Sequence, residues 1–259
     1  MINFLIGLGA VFGGAILGSF TTMLVHRLHY DETGIWGGRS RCPQCRHVLG
    51  ILQLIPVFSW LFQRGKCAFC KKKIPYFYPL TELVFITTFF LFVQKFYSTD
   101  VFYPLLIAVF FLLVIFIYDV RFMEVDRRIS FPAIGLALIW SFFRELSFQE
   151  YLIGGGIGFL FYFVQFFYSR KKEHPWVGEG DIELGLLCGL LLGWKYFLVM
   201  LFLAYILGVF YALPLLFLGK ANAKTALPMG AFLMPAILAF LYAGENIFSW
   251  YINMLGISF

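Results

Sequence analysis

Charge is what this sequence has least of. Asp, Glu, Lys and Arg make up 13% of its 259 residues, against 61% hydrophobic and 21% aromatic, which places the chain in a membrane. The strict alternation of a lipid-facing barrel strand is missing. The spans are therefore helices, in which backbone polar groups are satisfied within the segment. The first apolar stretch has no basic region before it, which argues against a removed signal peptide; its Gly14, Gly18 and Ser19 read instead as a helix-packing face. Internal repeats, low-complexity tracts, phosphate-binding glycine loops and serine-triad signatures are absent. So are the inverted repeats and midplane acids of a secondary transporter.

Apolar runs long enough for a bilayer, roughly 17–25 residues each, predict eight spans, near 3–24, 79–97, 101–118, 130–146, 151–169, 182–194, 196–218 and 227–248. The sixth is short and reads as tilted or partly re-entrant. The fold class expected is an all-α polytopic membrane protein of about eight transmembrane helices. Its parts are a first helix over 1–27, a cytoplasmic segment over 28–78 and a membrane domain over 79–259. Of the 20 basic residues, all but Lys95, Arg144 and Lys195 fall on one side of these spans. The positive-inside rule makes that side cytoplasmic and puts both termini outside. The net charge of +6 is then a consequence of topology, with anionic lipid contact, and calls for no nucleic acid.

Only five cysteines are present, and four are grouped. Cys42-Pro43-Gln44-Cys45 and Cys67-Ala68-Phe69-Cys70 have the spacing of two knuckles of a tetrahedral zinc site. Four thiolates close the metal's coordination shell, so the role is structural. The alternatives are two disulfides or unrelated thiols, and a reducing cytoplasmic setting argues against disulfides. Neighbouring Arg41, Arg46, Lys66 and Lys71 favour ionised thiols. Cys188, alone in an apolar span, reads as core. The stretch 51–62 between the pairs is too apolar for an exposed loop and too short to span, so it is expected against the membrane surface or the helix bundle.

Acids at the edges of spans carry the functional signal, since a carboxylate there is costly. Gly178-Glu179-Gly180-Asp181 precedes the sixth span, its two glycines expected to loosen the backbone and admit a substrate chain. Asp119 closes the third span at the same face. The bland reading of Asp119 is a helix-end charge paired with Arg121 or Arg128. Glu82, just inside span two after Tyr78-Pro79-Leu80-Thr81, reads as a support; Arg27 reads as an interfacial anchor. Glu145 and Glu150 carry no assigned chemistry. Leu227-Pro228-Met229-Gly230 is either a break near the cytoplasmic mouth of span eight or an ordinary helix start.

Taken together, these residues resemble the bacterial type IV prepilin peptidases, leader peptidase/N-methyltransferases of the GxGD membrane aspartic protease class. The resemblance runs through Gly18-Ser19-Phe20 with Arg27, 41–45, 55–60, 65–70, 78–82, Tyr118-Asp119, 178–181 and 228–230. It implies cleavage of a type IV pilin-like or pseudopilin precursor after a leader glycine, at the cytoplasmic face of the bacterial inner membrane. It also implies methylation of the new N-terminus with S-adenosylmethionine. By the same resemblance Asp119 and Asp181 are catalytic, Gly178 and Gly180 support them, and Cys42, Cys45, Cys67 and Cys70 hold zinc.

Three departures from the family pattern stand out. The pattern has Pro-Asp seven and eight residues after the first aspartate, where this chain has Asp126-Arg127. It has a lysine two residues after the second aspartate, where this chain has Glu183. A further proline after the last glycine motif is replaced by Ala231. Asp126 is therefore the substitute for Asp119 under a different alignment of the loop.

Two acids held a few ångström apart share a proton and titrate as a pair. Asp181, at a helix N-terminus, is expected to be the more readily ionised, and Asp119, at a helix C-terminus, to hold the proton. The rival readings are a non-enzymatic zinc-anchored scaffold and a transporter using the same two acids. The particular precursor and the oligomeric state are not written in the sequence.

Overall fold

The computed structural model describes residues 2–32, 38–143, 147–172, 176–220, 225, 227–254 and 256. Arg144, Glu145, Lys224 and the expected end of the fourth span lie outside the described residues. Nine helices follow in order among those described: α1 (Ile2–His29), α2 (Ile51–Leu54), α3 (Phe58–Phe62), α4 (Phe77–Phe96), α5 (Phe102–Phe122), α6 (Arg127–Ser141), α7 (Phe148–Ser169), α8 (Glu179–Phe217) and α9 (Gly230–Met254). No strand occurs among the described residues, only two isolated antiparallel bridges. Six helices, α1, α4, α5, α7, α8 and α9, are long and apolar enough to cross a membrane. The eight expected spans map onto these because α8 holds the sixth and seventh in one 39-residue run, and α6, at 15 residues, is the fourth.

The chain divides into two compact units, residues 1–110 and 111–259. In the first, α1 packs along α4 through its glycines. A methyl group added to Gly14 would lie 2.8 Å from the Phe85 carbonyl oxygen, and one on Gly18 would lie 2.8 Å from Glu82 Cα. The small-residue face read from the sequence is thus a contact at which two backbones nearly touch, the way helices associate when lipid removes the hydrophobic drive between them.

In the second unit the same device is used more intensively. Gly154 and Gly158 of α7 face Gly189 and Gly185 of α8; a methyl on Gly154 would sit 2.6 Å from the Gly189 carbonyl oxygen. At Gly193 the backbone leaves helical geometry (φ 74°, ψ 165°), a left-handed value that favours glycine. Residues on both sides of that break lie along α7: Gly185 and Phe197 both meet Gly158. Leu184, Leu187, Cys188, Phe197 and Met200 of α8 are buried with Leu233, Met234 and Ile237 of α9, so Cys188 is core, as expected. Of the two readings of 227–230, the helix start is the one found, since α9 begins at Gly230; α9 bends further along, at Ala243 (φ −140°, ψ 31°).

Candidate active site

Asp119 lies in the last turn of α5 and Asp181 in the first turn of α8, both in the second unit. Asp119 is buried, with 4% of its surface exposed, and Asp181 is half-buried. Gly230 links their surroundings: a methyl group there would lie 2.9 Å from Asp119 Oδ2 and 3.1 Å from Leu184 Cδ1, in the α8 turn that follows Asp181. Each acid is also held by a helix start. The Ala231 N–H donates to Asp119 Oδ2 at 2.8 Å, and the Gly230 N–H adds a second bond. The Gly178 N–H donates to Asp181 Oδ2 at 2.8 Å, so Asp181 caps its own helix.

This arrangement adds to what the helix ends imply. Asp119 does end α5, but its carboxylate sits at the N-terminus of α9, where free N–H groups and the helix dipole favour negative charge. Both acids therefore face a helix N-terminus, so the helix dipole alone does not divide their roles.

The glycines have a packing role that the sequence did not show. Gly178 is an N-cap with φ −86°, and Gly180 is inside α8, so neither occupies a left-handed conformation. What demands glycine at 180 is Val125 of the α5–α6 connection: a methyl group there would lie 2.6 Å from Val125 Cβ. Gly230 is as constrained, since a methyl there would lie 2.9 Å from Asp119 Oδ2. The sequence flagged Gly230 as a helix start but not as the floor under Asp119.

Around the pair, the loop acids have other employment. Asp126 is the N-cap of α6: its side chain accepts the Arg128 N–H at 2.8 Å and pairs with the Arg128 guanidinium at 2.6 Å. Burial works to raise Asp126, but the bonds from Arg128 prevail and hold its carboxyl below the usual range. Arg128 thus serves Asp126. Arg127 reaches α8, with Nε 2.9 Å from Glu183 and Nη2 2.8 Å from Glu179, and the Ser130 hydroxyl donates to the other oxygen of Glu183 at 2.5 Å. Sequence reasoning marked Glu183 only as a departure and missed this network.

In the first unit, the four Sγ atoms of Cys42, Cys45, Cys67 and Cys70 lie within 4.8 Å of one another, and those of Cys42 and Cys70 are 3.9 Å apart. Tetrahedral zinc–sulfur bonds of about 2.3 Å need sulfurs at about this separation, so the donor set fits zinc. Two matching ten-residue loops make it. Cys42 N–H bonds His47 O and Cys67 N–H bonds Lys72 O; Arg46 N–H returns to Cys42 O and Lys71 N–H to Cys67 O. Arg46 (φ 58°) and Lys71 (φ 59°) take the same left-handed turn. The repeat absent at domain scale is therefore present here, offset by 25 residues. Lys72 Nζ donates to Gln44 Oε1 at 2.9 Å across the two loops.

Supporting residues tie this segment to its helices. Glu82 is buried, accepts the Val57 N–H at 2.6 Å and bonds the Ser19 hydroxyl. Val57 has φ 61°, an unfavourable value for a β-branched residue, so Glu82 stabilises a strained turn. Arg27, in the last turn of α1, is buried, and its Nη2 donates to the Gly38 carbonyl at 2.9 Å. The stretch 51–62 forms α2 and α3, with Ile51 and Phe62 over four-fifths exposed and the Trp60 indole N–H on Ile74 O.

Comparison with known proteins agrees with this layout. The profile of the bacterial peptidase A24 N-terminal domain matches residues 12–96, and that of the type IV leader peptidase family matches residues 106–213. The chain is 33% identical over 245 residues to a prepilin leader peptidase/N-methyltransferase of Bacillus subtilis, covering 93% of this chain and 96% of that protein. A protein of the same name from Myxococcus xanthus is 32% identical over 82% of this chain and 64% of its own length. One from Aeromonas hydrophila is 27% identical over 92% and 91%. No solved structure matches. With acids at two helix ends in one unit and paired cysteine loops in the other, the chain belongs to the prepilin leader peptidase/N-methyltransferase family.

Proposed function

We propose that the protein is a multi-pass aspartic endopeptidase that removes the leader of a type IV prepilin-like precursor after glycine and N-methylates the new terminus, with Asp119 and Asp181 as its catalytic pair. The observation that carries this reading is geometric: two acids at helix ends of one unit, each held by the start of a helix, Asp119 by the Ala231 N–H and Asp181 by the Gly178 N–H. Peptide hydrolysis by two carboxyl groups uses one ionised, to take a proton from water, and one protonated, to donate to the scissile carbonyl oxygen. The Gly178 anchor takes Oδ2 of Asp181 and leaves its Oδ1 for water or substrate. The charge asymmetry of the loops supports a cytoplasmic active site with both termini outside.

Cys42, Cys45, Cys67 and Cys70 would hold zinc, which would fasten the two loops together without entering the hydrolysis. S-adenosylmethionine is the methyl donor implied by the family. Among the described residues no glycine-rich phosphate or nucleotide loop offers it a cradle, so no residue is assigned to it. A scaffold or transporter reading finds no feature that favours it. The decisive test incubates the purified protein with a candidate pilin precursor and reads the product N-terminus by mass. Release of the leader by the native chain but not by D119N or D181N is the expected outcome; full activity in either variant would remove the assignment.

A further inference from the structure

We propose that Arg127 is a positioning residue that clasps the first turn of α8 from the side opposite Asp181. This rests on the reading of Asp181 as catalytic. Glu179 and Glu183 are two residues before and two after Asp181, four apart and so on one face of the helix, with Asp181 turned about 160° away. Alone, two acids at that spacing repel. Arg127, the first residue of α6, bridges both, at 2.8 and 2.9 Å. The Glu183 side chain is only 14% exposed and takes the Ser130 hydroxyl on its second oxygen, whereas Glu179 is 64% exposed. The Glu183 half of the clasp is therefore the stiffer one. It holds α8 against α6 by its back while the Asp181 carboxyl is turned to the other face.

The basic residue at 127 and the acid at 183 touch directly, so the contact can be rebuilt with its signs exchanged. Ser130 suits either polarity, since a hydroxyl donates to a carboxylate and accepts from an ammonium group.

A charge-reversal cycle tests the clasp. It is built on E179Q, so that an acid placed at 127 meets no second carboxylate, and assayed with a purified pilin-type precursor. R127D/E179Q and E179Q/E183K are each expected to cleave about 10- to 100-fold more slowly than E179Q, through kcat with KM little changed, as a misplaced catalytic group does. R127D/E179Q/E183K is expected to recover to within about three-fold of E179Q. A triple variant no faster than the slower double variant overturns the proposal. Should a reversal disturb folding, R127Q replaces it: slower turnover at an unchanged unfolding midpoint supports the clasp, and native turnover overturns it. D181N is run alongside, because activity surviving there sinks the catalytic reading, whereas an inactive D181N with an unrescued cycle sinks only the clasp.

Discussion

The cysteine cluster and the aspartate pair each bring like groups together, and they do it by opposite means. The cysteines are gathered by local structure: each loop closes on itself through bonds between residues five apart, with one left-handed turn apiece, and the same ten-residue pattern is used twice. The aspartates are gathered by tertiary structure. Asp119 depends on a backbone N–H 112 positions away, and Asp181 on an α8 packed against α7, α9 and the start of α6. Locally built sites tolerate change elsewhere in the chain, whereas a site assembled from helix ends registers any shift of one helix against another.

The largest expected effect strikes the assembled site directly. D119N or D181N should lower cleavage by at least about 100-fold, the scale of a lost proton-transfer group. The cysteine loops should be untouched, checked by mass analysis of the precursor and by zinc content on the same samples. The reciprocal break is C42S. Removing one thiolate opens a coordination shell whose binding free energy is about 10–16 kcal/mol in small zinc domains, so the metal content should collapse. Retained cleavage with lost methylation would place the zinc segment in the second activity alone; loss of both would assign the metal a folding role.

Glycine substitutions sharpen the comparison at intermediate size. G180A drives a methyl group to 2.6 Å from Val125 Cβ and should displace the first turn of α8. A loss of about 10- to 100-fold in kcat is expected, since an ångström of misplacement is worth that much. G178A meets nothing closer than 3.8 Å and has an ordinary φ, so its loss should be the smaller. Equal losses would mean that glycine acts in this loop through flexibility, the reading first suggested by the sequence.

How much of this was legible beforehand follows the same divide. The cysteine spacing announced its cluster because the chemistry is written within ten residues. The apolar runs announced the helices, and the split between the runs 182–194 and 196–218 falls close to the break that the structure puts at Gly193. The acids at span edges were legible as candidates, since charge at a membrane boundary stands out against apolar sequence. Their partners were not. That Asp119 rests on the start of α9, that Arg127 crosses to Glu183 and that Gly180 packs on Val125 depend on which helix ends meet, which no local pattern encodes. Arg27 is a related case: an arginine at the end of an apolar run is legible as an anchor, and only the fold supplies its partner, the Gly38 carbonyl.

The smallest expected effect concerns Asp126, the acid that an alternative alignment would place in the active site. As the N-cap of α6 it should cost about 0.5–2 kcal/mol when replaced by alanine and less when replaced by asparagine, which also caps. Its carboxyl is depressed in the folded state, chiefly by Arg128 acting against burial. A depressed acid contributes stability that is fully present above its unfolded value, about 3.9, and is lost as pH falls from there through the folded value. The stability gap between the native chain and D126N, followed by denaturant unfolding, should therefore hold steady from neutral pH to about 4 and close below it. D126N should keep most of its cleavage activity, because Asp126 is spent on α6 and Arg128. A D126N variant as inactive as D119N would move the catalytic role to the loop and dissolve the contrast between a site built by helix ends and one built by neighbours in sequence.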